Sequence, residues 1–289
     1  MIEMTEFDLD SDGKIDLNEV YERPDPRAYY QTLSRLDYQI PSAAEPLFRK
    51  TIRALRQSRR QRRVTLLDVG SSYGVNAAIL KHRFSLAGLF DLYGRDATVE
   101  VKSPEALIAR DRSLFDGARS DQSLVTVGLD VSGDAISYAT EAGIIDSGIA
   151  ANLEERNPTG GEMETLAPVD LVVSTGAIGY VDAATFDRIV DAAERRPWIA
   201  VFALRMFSME SISAALLEAG YRIRKLPGEV FRQRQFANDD ERNEVLARLD
   251  SLGIDPAGRE AEGWLLAEFF LAVPEDEDDG TIFPELVPA

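Results

Sequence analysis

Short apolar runs alternate along most of the chain with segments in which apolar residues recur at the spacing of a helix. The apolar runs cover residues 64–67, 125–129, 149–153, 169–173 and 198–203, and each one ends at a polar or small residue. Nearly continuous apolar runs of this length are typical of strands that are buried on both faces of a parallel sheet. The pattern therefore predicts an α/β fold, with a mostly parallel sheet and helices on both of its faces.

The same pattern divides the chain into three parts. We expect an N-terminal helical cap over residues 1–63, an α/β core over 64–274 that holds an insertion at about 84–123, and an acidic C-terminal tail over 275–289. Residues 49–63 hold eight Lys and Arg and no acid, and their spacing predicts an amphipathic helix with a solvated basic face. The consecutive acids at 275–279 predict a solvated tail or linker.

The turn after the first apolar run has the sequence LLDVGSSYG, residues 66–74. Gly70 and Gly74 allow a positive φ and the close approach of a ligand, and the helix that follows presents unpaired backbone N–H groups. A dinucleotide site would need G-x-G-x-x-G, which is missing here. Asp68 would repel a diphosphate and suits a ligand that carries a cation.

Polar residues also follow the next apolar runs. Asp130 ends the second run, and one carboxylate in that place can accept hydrogen bonds from both hydroxyls of an adenosine ribose; the alternative is that Asp130 only caps a turn. Glu100 competes for the ribose role, but Ser132 caps a helix directly after Asp130, which favours the latter. The third run ends at Asn152 and Leu153.

Taken in order, these motifs resemble those of class I S-adenosylmethionine (SAM) methyltransferases, over roughly residues 64–205. The resemblance implies a Rossmann-like sheet of seven strands, completed by antiparallel pairing of Tyr221–Leu226 with Trp264–Val273, and it leaves 228–263 as an excursion with a helix near Asp239–Leu252. It implies these cofactor-binding residues: Asp68, Gly70, Ser71, Ser72, Tyr73, Gly74, Asp130, Val131, Asn152, Leu153, Thr175 and Gly176.

Methyl transfer from SAM is an in-line displacement that needs alignment and exclusion of water more than a nucleophilic triad. Candidates on the substrate side are Tyr30, Tyr38, Tyr180 and Arg205. Each tyrosine could instead be a packing residue, and Arg205 could hold a carboxylate substrate or pair with a neighbouring acid. His82, the single histidine, is read as a helix C-terminal residue rather than a general base.

Several functions stay open at this stage. The leading one is transfer of a methyl group to a small-molecule acceptor. The same cofactor would serve an intramolecular cyclisation that releases methylthioadenosine, as in azetidine-carboxylate synthases of the superfamily. A third is a non-catalytic, calcium-responsive binding module. A nicotinamide dehydrogenase is disfavoured by the glycine spacing.

Composition narrows the partners. A net charge of −18 disfavours nucleic acid and anionic membranes, because binding to phosphate depends on Lys and Arg. There is no cysteine, no secretory signal and no apolar run of about 20 residues. We therefore expect a cytoplasmic protein with a small-molecule substrate, and a homo-oligomer is compatible with the sequence.

The segment DLDSDGKIDLNE, residues 8–19, is similar to the EF-hand calcium loop. Hard oxygen ligands at this spacing are those that Ca²⁺ requires. The resemblance implies calcium ligands at Asp8, Asp10, Asp12, Lys14 (through its carbonyl) and Glu19. The alternative is an acidic loop that only caps the following helix.

Overall fold

The computed structural model describes residues 20, 23–94, 101, 103–118 and 120–280 of the chain. Within these residues the centre of the fold is one eight-stranded sheet. Its strands are β1 Val64–Val69, β2 Leu124–Asp130, β3 Ser147–Ala150, β4 Leu171–Ser174, β5 Trp198–Leu204, β6 Tyr221–Lys225, β7 Phe231–Gln235 and β8 Trp264–Pro274. The strand order is β3-β2-β1-β4-β5-β8-β6, and β7 pairs with β8 beside this path.

The directions of the strands confirm the predicted α/β, Rossmann-like sheet. Strands β1 to β5 pair in parallel, whereas β8 is antiparallel to β5, β6 and β7. The predicted antiparallel pairing of the last two strand candidates is therefore confirmed. The chain reverses its direction of travel between β3 and β4, so the carboxyl ends of β1 and β4 meet at the point where ligands bind in sheets of this kind.

Strand β7 is one strand more than the sequence pattern predicts. It lies inside the predicted excursion and pairs with Trp264–Ala267, the first part of β8. The other side of that part of β8 faces the end of β5, since Leu204 pairs with Ala267. Strand β7 therefore extends the sheet at the edge where the parallel strands end.

Helices cover the sheet. They are α1 Arg27–Arg35, α2 Ile40–Arg59, α3 Val75–Leu80, α4 Leu86–Tyr93, α5 Pro104–Ala118, α6 Gly133–Glu141, α7 Gly160–Leu166, α8 Ala183–Ala192, α9 Glu210–Glu218 and α10 Asp239–Ser251. The α10 helix confirms the one predicted near 239–252. Among the described residues, no helix is long and apolar enough to cross a membrane.

The N-terminal helices pack on two sides of the core. Helix α2 lies against the sheet, where the ring of Phe48 meets that of Phe202 edge to face at 5.6 Å. Helix α1 packs on the insertion instead, because Tyr30 stacks on Tyr93 at 4.6 Å between ring centroids. Backbone hydrogen bonds from Gln39 N and to Leu36 O tie the linker between α1 and α2 to β7.

Within the acidic run that follows β8, Glu277 and Asp278 turn their side chains into the folded core, which corrects the expected solvated tail at these two positions, while Glu275 and Asp276 are exposed. The Glu277 carboxylate, whose side chain is 9% exposed, accepts from Arg59 Nε at 3.0 Å and from Trp198 Nε1 at 2.8 Å. Arg59 also donates to Asp170 Oδ1 at 3.0 Å. A buried guanidinium requires such partners, because an unpaired buried charge is strongly unfavourable.

The expected solvated basic face of residues 49–63 is likewise only partly correct. Arg59 is buried in the cluster just described. Arg49 donates to the carbonyls of Ile79 and Leu80 at the end of α3, and Arg56 pairs with Asp121 at 3.0 Å. Arginines at intervals along α2 thus turn inward and fasten the helix to the core.

Candidate functional site

The turn between β1 and α3 has the conformation that a close ligand site needs. Gly70 and Gly74 have φ values of 73° and 80°, and Ser72 has a φ of 46°. A Cβ on Gly70 would stand 2.6 Å from the Cβ of Ala177, in the loop after β4. Glycine at this position therefore lets the turn and the loop after β4 meet.

Asp68, at the end of β1, is a buried carboxyl group in this junction, with 2% exposure. Asn76 Nδ2 donates to it at 3.0 Å (Oδ1) and 3.2 Å (Oδ2), and also to Thr175 Oγ1 at 3.2 Å. Burial raises the pKa of Asp68 to about 7; the Asn76 hydrogen bonds lower it in part, and the charge of Asp130 raises it further. A cation placed beside this carboxylate would offset its desolvation.

Asp130, at the end of β2, joins the two neighbouring turns. Its Oδ2 accepts from Ser72 N at 2.8 Å and its Oδ1 from Ser132 N at 2.9 Å. Burial raises the pKa of Asp130 above its ordinary value, although these N–H groups act in the opposite direction. The Val131 N–H also lowers the pKa of Asp130 through a hydrogen bond. The turn-capping role considered for Asp130 is thus present, and the carboxylate, which has about four acceptor sites, keeps capacity for a further donor.

Two hydroxyl groups in the turn have no hydrogen-bond partner among the described residues. They belong to Ser71 and Ser72, which are 3% and 6% exposed. Buried hydroxyls without a partner are unfavourable, so they indicate a polar ligand or water at this place. Together with the buried Asp68 carboxyl, they fit a ligand that carries both an ammonium group and hydrogen-bonding atoms.

The cofactor-binding residues expected after β2 and β3 follow strands that pair in parallel, so they lie at the same edge of the sheet. Val131 is 70% exposed directly after Asp130, and Leu153 is 2% exposed. The Oδ1 of Asn152 accepts from Glu154 N at 3.0 Å, so part of its acceptor capacity serves its own turn. Tyr73 points the other way, because its hydroxyl donates to Arg23 O at 2.7 Å in the N-terminal segment.

The substrate-side candidates are placed in different surroundings. Tyr30 is buried against Tyr93, and Tyr38 is partly buried between the two apolar clusters of the core. Tyr180 is 52% exposed in the loop after β4. Arg205 pairs with Glu260 at 2.6 Å, which is the second of the two roles considered for it.

Other predicted ligands fall outside the described residues. These are the calcium-loop residues Asp8, Asp10, Asp12, Lys14 and Glu19, and the alternative ribose ligand Glu100. Within the described ranges, no group of three or more His, Asp or Glu is arranged to hold a metal ion. His82 is buried, and its ring nitrogens lie 3.1 Å from Phe115 O and 3.0 Å from Ile144 O, in a structural position.

Sequence reasoning missed two side chains at the junction. Asn76 joins Asp68 to Thr175, and its signal is a lone amide in the otherwise apolar helix VNAAIL. Gln233 reaches the end of β4 from β7. No sequence signal marks Gln233, because it stands in the alternating polar segment FRQRQ.

Comparison with known proteins gives a likeness of fold. No protein-family profile matches the chain, and neither does any curated protein. The solved structure of the plantazolicin methyltransferase BamL, in complex with a triazolic desmethylPZN analog and SAH, is 14% identical, with a TM-score of 0.42 over 88% of this chain and 98% of that one.

Two further solved structures give similar values. A TehB-like SAM-dependent methyltransferase from Corynebacterium glutamicum is 13% identical, with a TM-score of 0.40 over 84% of this chain and 97% of that one. Magnesium protoporphyrin IX methyltransferase from Synechocystis with bound SAM is 11% identical, with a TM-score of 0.39 over 85% and 79%. These values are too low for the likeness to carry an argument about function.

Proposed function

We propose that the chain is a SAM-dependent methyltransferase that acts on a small-molecule acceptor. The observation that carries the proposal is the buried Asp68 carboxyl, with a pKa of about 7, which is followed in the turn by the hydroxyls of Ser71 and Ser72, two groups without a hydrogen-bond partner among the described residues. A cationic, hydrogen-bonding ligand resolves both features at once. The amino-acid part of SAM has this chemistry, whereas a dinucleotide diphosphate does not.

The remaining edge residues fit the rest of the cofactor. In the proposal, Asp130 accepts from the ribose hydroxyls through its remaining acceptor capacity, and the exposed Val131 side chain packs on the adenine. Asn152 and Leu153 take the far edge of the adenine. Thr175 and Gly176 lie at the end of β4, beside the reacting centre.

When bound, SAM supplies a methyl group that is activated by the positive sulfur. The chain's own residues then have to orient the acceptor and exclude water. The burial of Asp68, Asn76 and Thr175 supports the second task. For the first, Tyr180 is the exposed aromatic candidate of the loop after β4, while Tyr30, Tyr38 and Arg205 stay candidates that act from the cap and from the end of β5.

The net charge of −18 supports a small acceptor over nucleic acid, and a cytoplasmic location and a homo-oligomeric state stay predictions. Cyclisation of SAM is the alternative reaction, since it needs the same dry pocket. A calcium-responsive binding module is the second alternative, and it depends on the acidic loop at residues 8–19.

Calorimetric titration with S-adenosylhomocysteine tests the proposal, with NADH as the control ligand. We expect micromolar binding (Kd of about 1–10 µM) of S-adenosylhomocysteine alone. The variant Asp130→Asn should bind at least about tenfold more weakly, because an amide presents one acceptor oxygen instead of two. The exposed Asp134→Asn, on the helix that follows, is the matched control and should bind as the wild type does.

Product analysis then separates the reactions. S-adenosylhomocysteine formed only with an acceptor supports methylation, and methylthioadenosine formed without one supports cyclisation. If neither S-adenosylhomocysteine nor methylthioadenosine binds, the proposed function is wrong. Stability that depends on Ca²⁺, in the absence of turnover, would then favour the binding module.

A further inference from the structure

Strand β7 carries a bulge at Gln233. Along the pairing with β8, Arg232 stands opposite Leu266 and Arg234 opposite Leu265, so Gln233 has no position of its own on the partner strand. A bulge turns a side chain out of the regular alternation and is enriched next to active sites. The bulged residue is held in place from the cap, because its carbonyl accepts from Gln39 N at 2.7 Å.

The side chain of Gln233 points to the end of β4. A methyl group on Gly176 would stand 3.0 Å from Gln233 Nε2. Gly176 directly follows Thr175, whose hydroxyl accepts from Asn76, the residue that also donates to Asp68. The Gln233 amide therefore lies next to the residue that follows Thr175, and Thr175 is joined through Asn76 to the buried carboxyl of Asp68 by hydrogen bonds.

The amide oxygen of Gln233 is buried without a donor. The residue is 8% exposed, and its Oε1 has no hydrogen-bond partner among the described residues. Burying an unpaired carbonyl disfavours the folded state, and a methionine of similar length would avoid this. A donor that comes from a ligand explains the glutamine, because the carbonyl is then paired whenever the site is filled.

We propose that Gln233 is a substrate-contacting residue, whose Oε1 accepts the hydrogen bond of the hydroxyl or amine that receives the methyl group. This inference rests on the proposed function and adds a substrate class to it: acceptors with a proton on the nucleophilic atom. A carboxylate acceptor would set lone pairs against lone pairs. The neutral amide orients the acceptor and takes no proton. As the nucleophilic atom forms its bond to the methyl carbon, the carbon–sulfur bond breaks with its electron pair left on sulfur, and the proton of the methylated atom passes to water when the product leaves.

The test compares the wild type with Gln233→Met and with the matched control Gln235→Met, an exposed glutamine of the same strand. Thermal unfolding and S-adenosylhomocysteine affinity are measured first. We expect Gln233→Met to melt at the wild-type temperature or about 2 °C above it, since an unpaired carbonyl has been removed. Its affinity for S-adenosylhomocysteine should stay within about twofold of the wild type, because the amide contacts the acceptor and not the cofactor.

Turnover is then measured with SAM and a panel of phenols, alcohols and amines, each beside a carboxylic acid of the same skeleton. For any acceptor that the wild type uses, Gln233→Met should lower kcat/KM about tenfold, mainly through a higher KM, and Gln235→Met should leave it unchanged. A second variant, Gly176→Ala, should raise KM in the same way, because its methyl group displaces the amide.

The outcomes separate the two hypotheses. If S-adenosylhomocysteine does not bind the wild type, the proposed function fails, and the substrate role of Gln233 falls with it. If it binds but Gln233→Met melts several degrees lower, the amide makes a structural hydrogen bond and the inference is wrong. The inference is equally wrong if the cofactor product binds and no hydroxyl or amine compound distinguishes Gln233→Met from the wild type, or if carboxylic acids are the acceptors used.

Discussion

Replacing Asp68 by asparagine should stabilise the protein, and more so at high pH. The Asp68 carboxyl has a pKa of about 7 in the folded protein against an ordinary value of 3.8, mainly because it is buried. Between these two pH values the folded state binds more protons than the unfolded state, so the free energy of unfolding falls as the pH rises. Asparagine carries no charge at any pH and escapes this loss.

The size of the effect follows from the two pKa values. At ~1.4 kcal/mol per pKa unit, ionisation of Asp68 lowers the free energy of unfolding of the wild type by ~1.5 kcal/mol at pH 5 and by ~4 kcal/mol at pH 8. Both values are relative to a pH at which Asp68 is protonated in the folded and the unfolded state. The advantage of Asp68→Asn over the wild type should therefore grow by ~2.5 kcal/mol between these pH values. Changes in packing or in the Asn76 hydrogen bonds cancel from this difference, since they do not depend on pH.

Urea unfolding of both proteins at pH 5, 6, 7 and 8 measures the difference in the free energy of unfolding between Asp68→Asn and the wild type. The exposed Asp116→Asn on α5 is the control, and its difference from the wild type should stay constant. Saturating S-adenosylhomocysteine should remove the pH dependence from the wild type, because its ammonium group pairs with the carboxylate. At the same ligand concentration it should stabilise Asp68→Asn less than the wild type, since the variant lacks this ion pair. A difference between Asp68→Asn and wild type that is flat from pH 5 to pH 8 would refute the reasoning.

Two further predictions concern stability alone. Glu277→Gln should lower the free energy of unfolding, measured by urea denaturation, by ~3 kcal/mol, because the buried Arg59 loses one of its two carboxylate partners. The exposed Glu275→Gln is the control, and an equal effect of both substitutions would contradict the buried cluster. Ser72→Gly should raise the free energy of unfolding by ~0.5–1 kcal/mol, since a φ of 46° suits glycine better than serine. A loss of stability would mean that the serine hydroxyl has a partner in the folded protein.

The sequence predicts the middle of this fold well, for a physical reason. Strands such as β1 and β5 are buried along their whole length, so their residues are mostly apolar and the strands are easy to find. Asp68 and Asp130 stand at the ends of such runs, and the parallel pairing of β1 with β2 brings them to the same edge of the sheet. That part of the candidate site needs only the strand ends and the strand directions.

The parts that the sequence does not predict depend on partners far along the chain. Strand β7 has the sequence FRQRQ, in which no apolar alternation shows that it joins a sheet. Its place depends on β8 and on the segment before α2, about 30 residues after it and about 200 before it in sequence. Gln233 was missed for this reason.

The sequence does not predict the cluster around Arg59 for the same reason: its members are far apart along the chain. The acids at 275–278 are consecutive, and charge alone indicates a solvated segment. The buried arginine that receives Glu277 lies 218 positions earlier, in a helix whose other basic residues are partly exposed. Nothing local distinguishes Arg59 from its neighbours.

The ion pair between Arg59 and Glu277 also bears on the order of folding. Contacts between residues so distant in sequence close the largest loops of a chain, and that entropy is lost before the contact returns any stability. We therefore expect this pair to form late, after the strands between its two members have assembled. Hydrogen exchange should then find the amides of residues 275–278 opening by local fluctuations well below the free energy of global unfolding, while β1 and β5 exchange only when the whole domain unfolds.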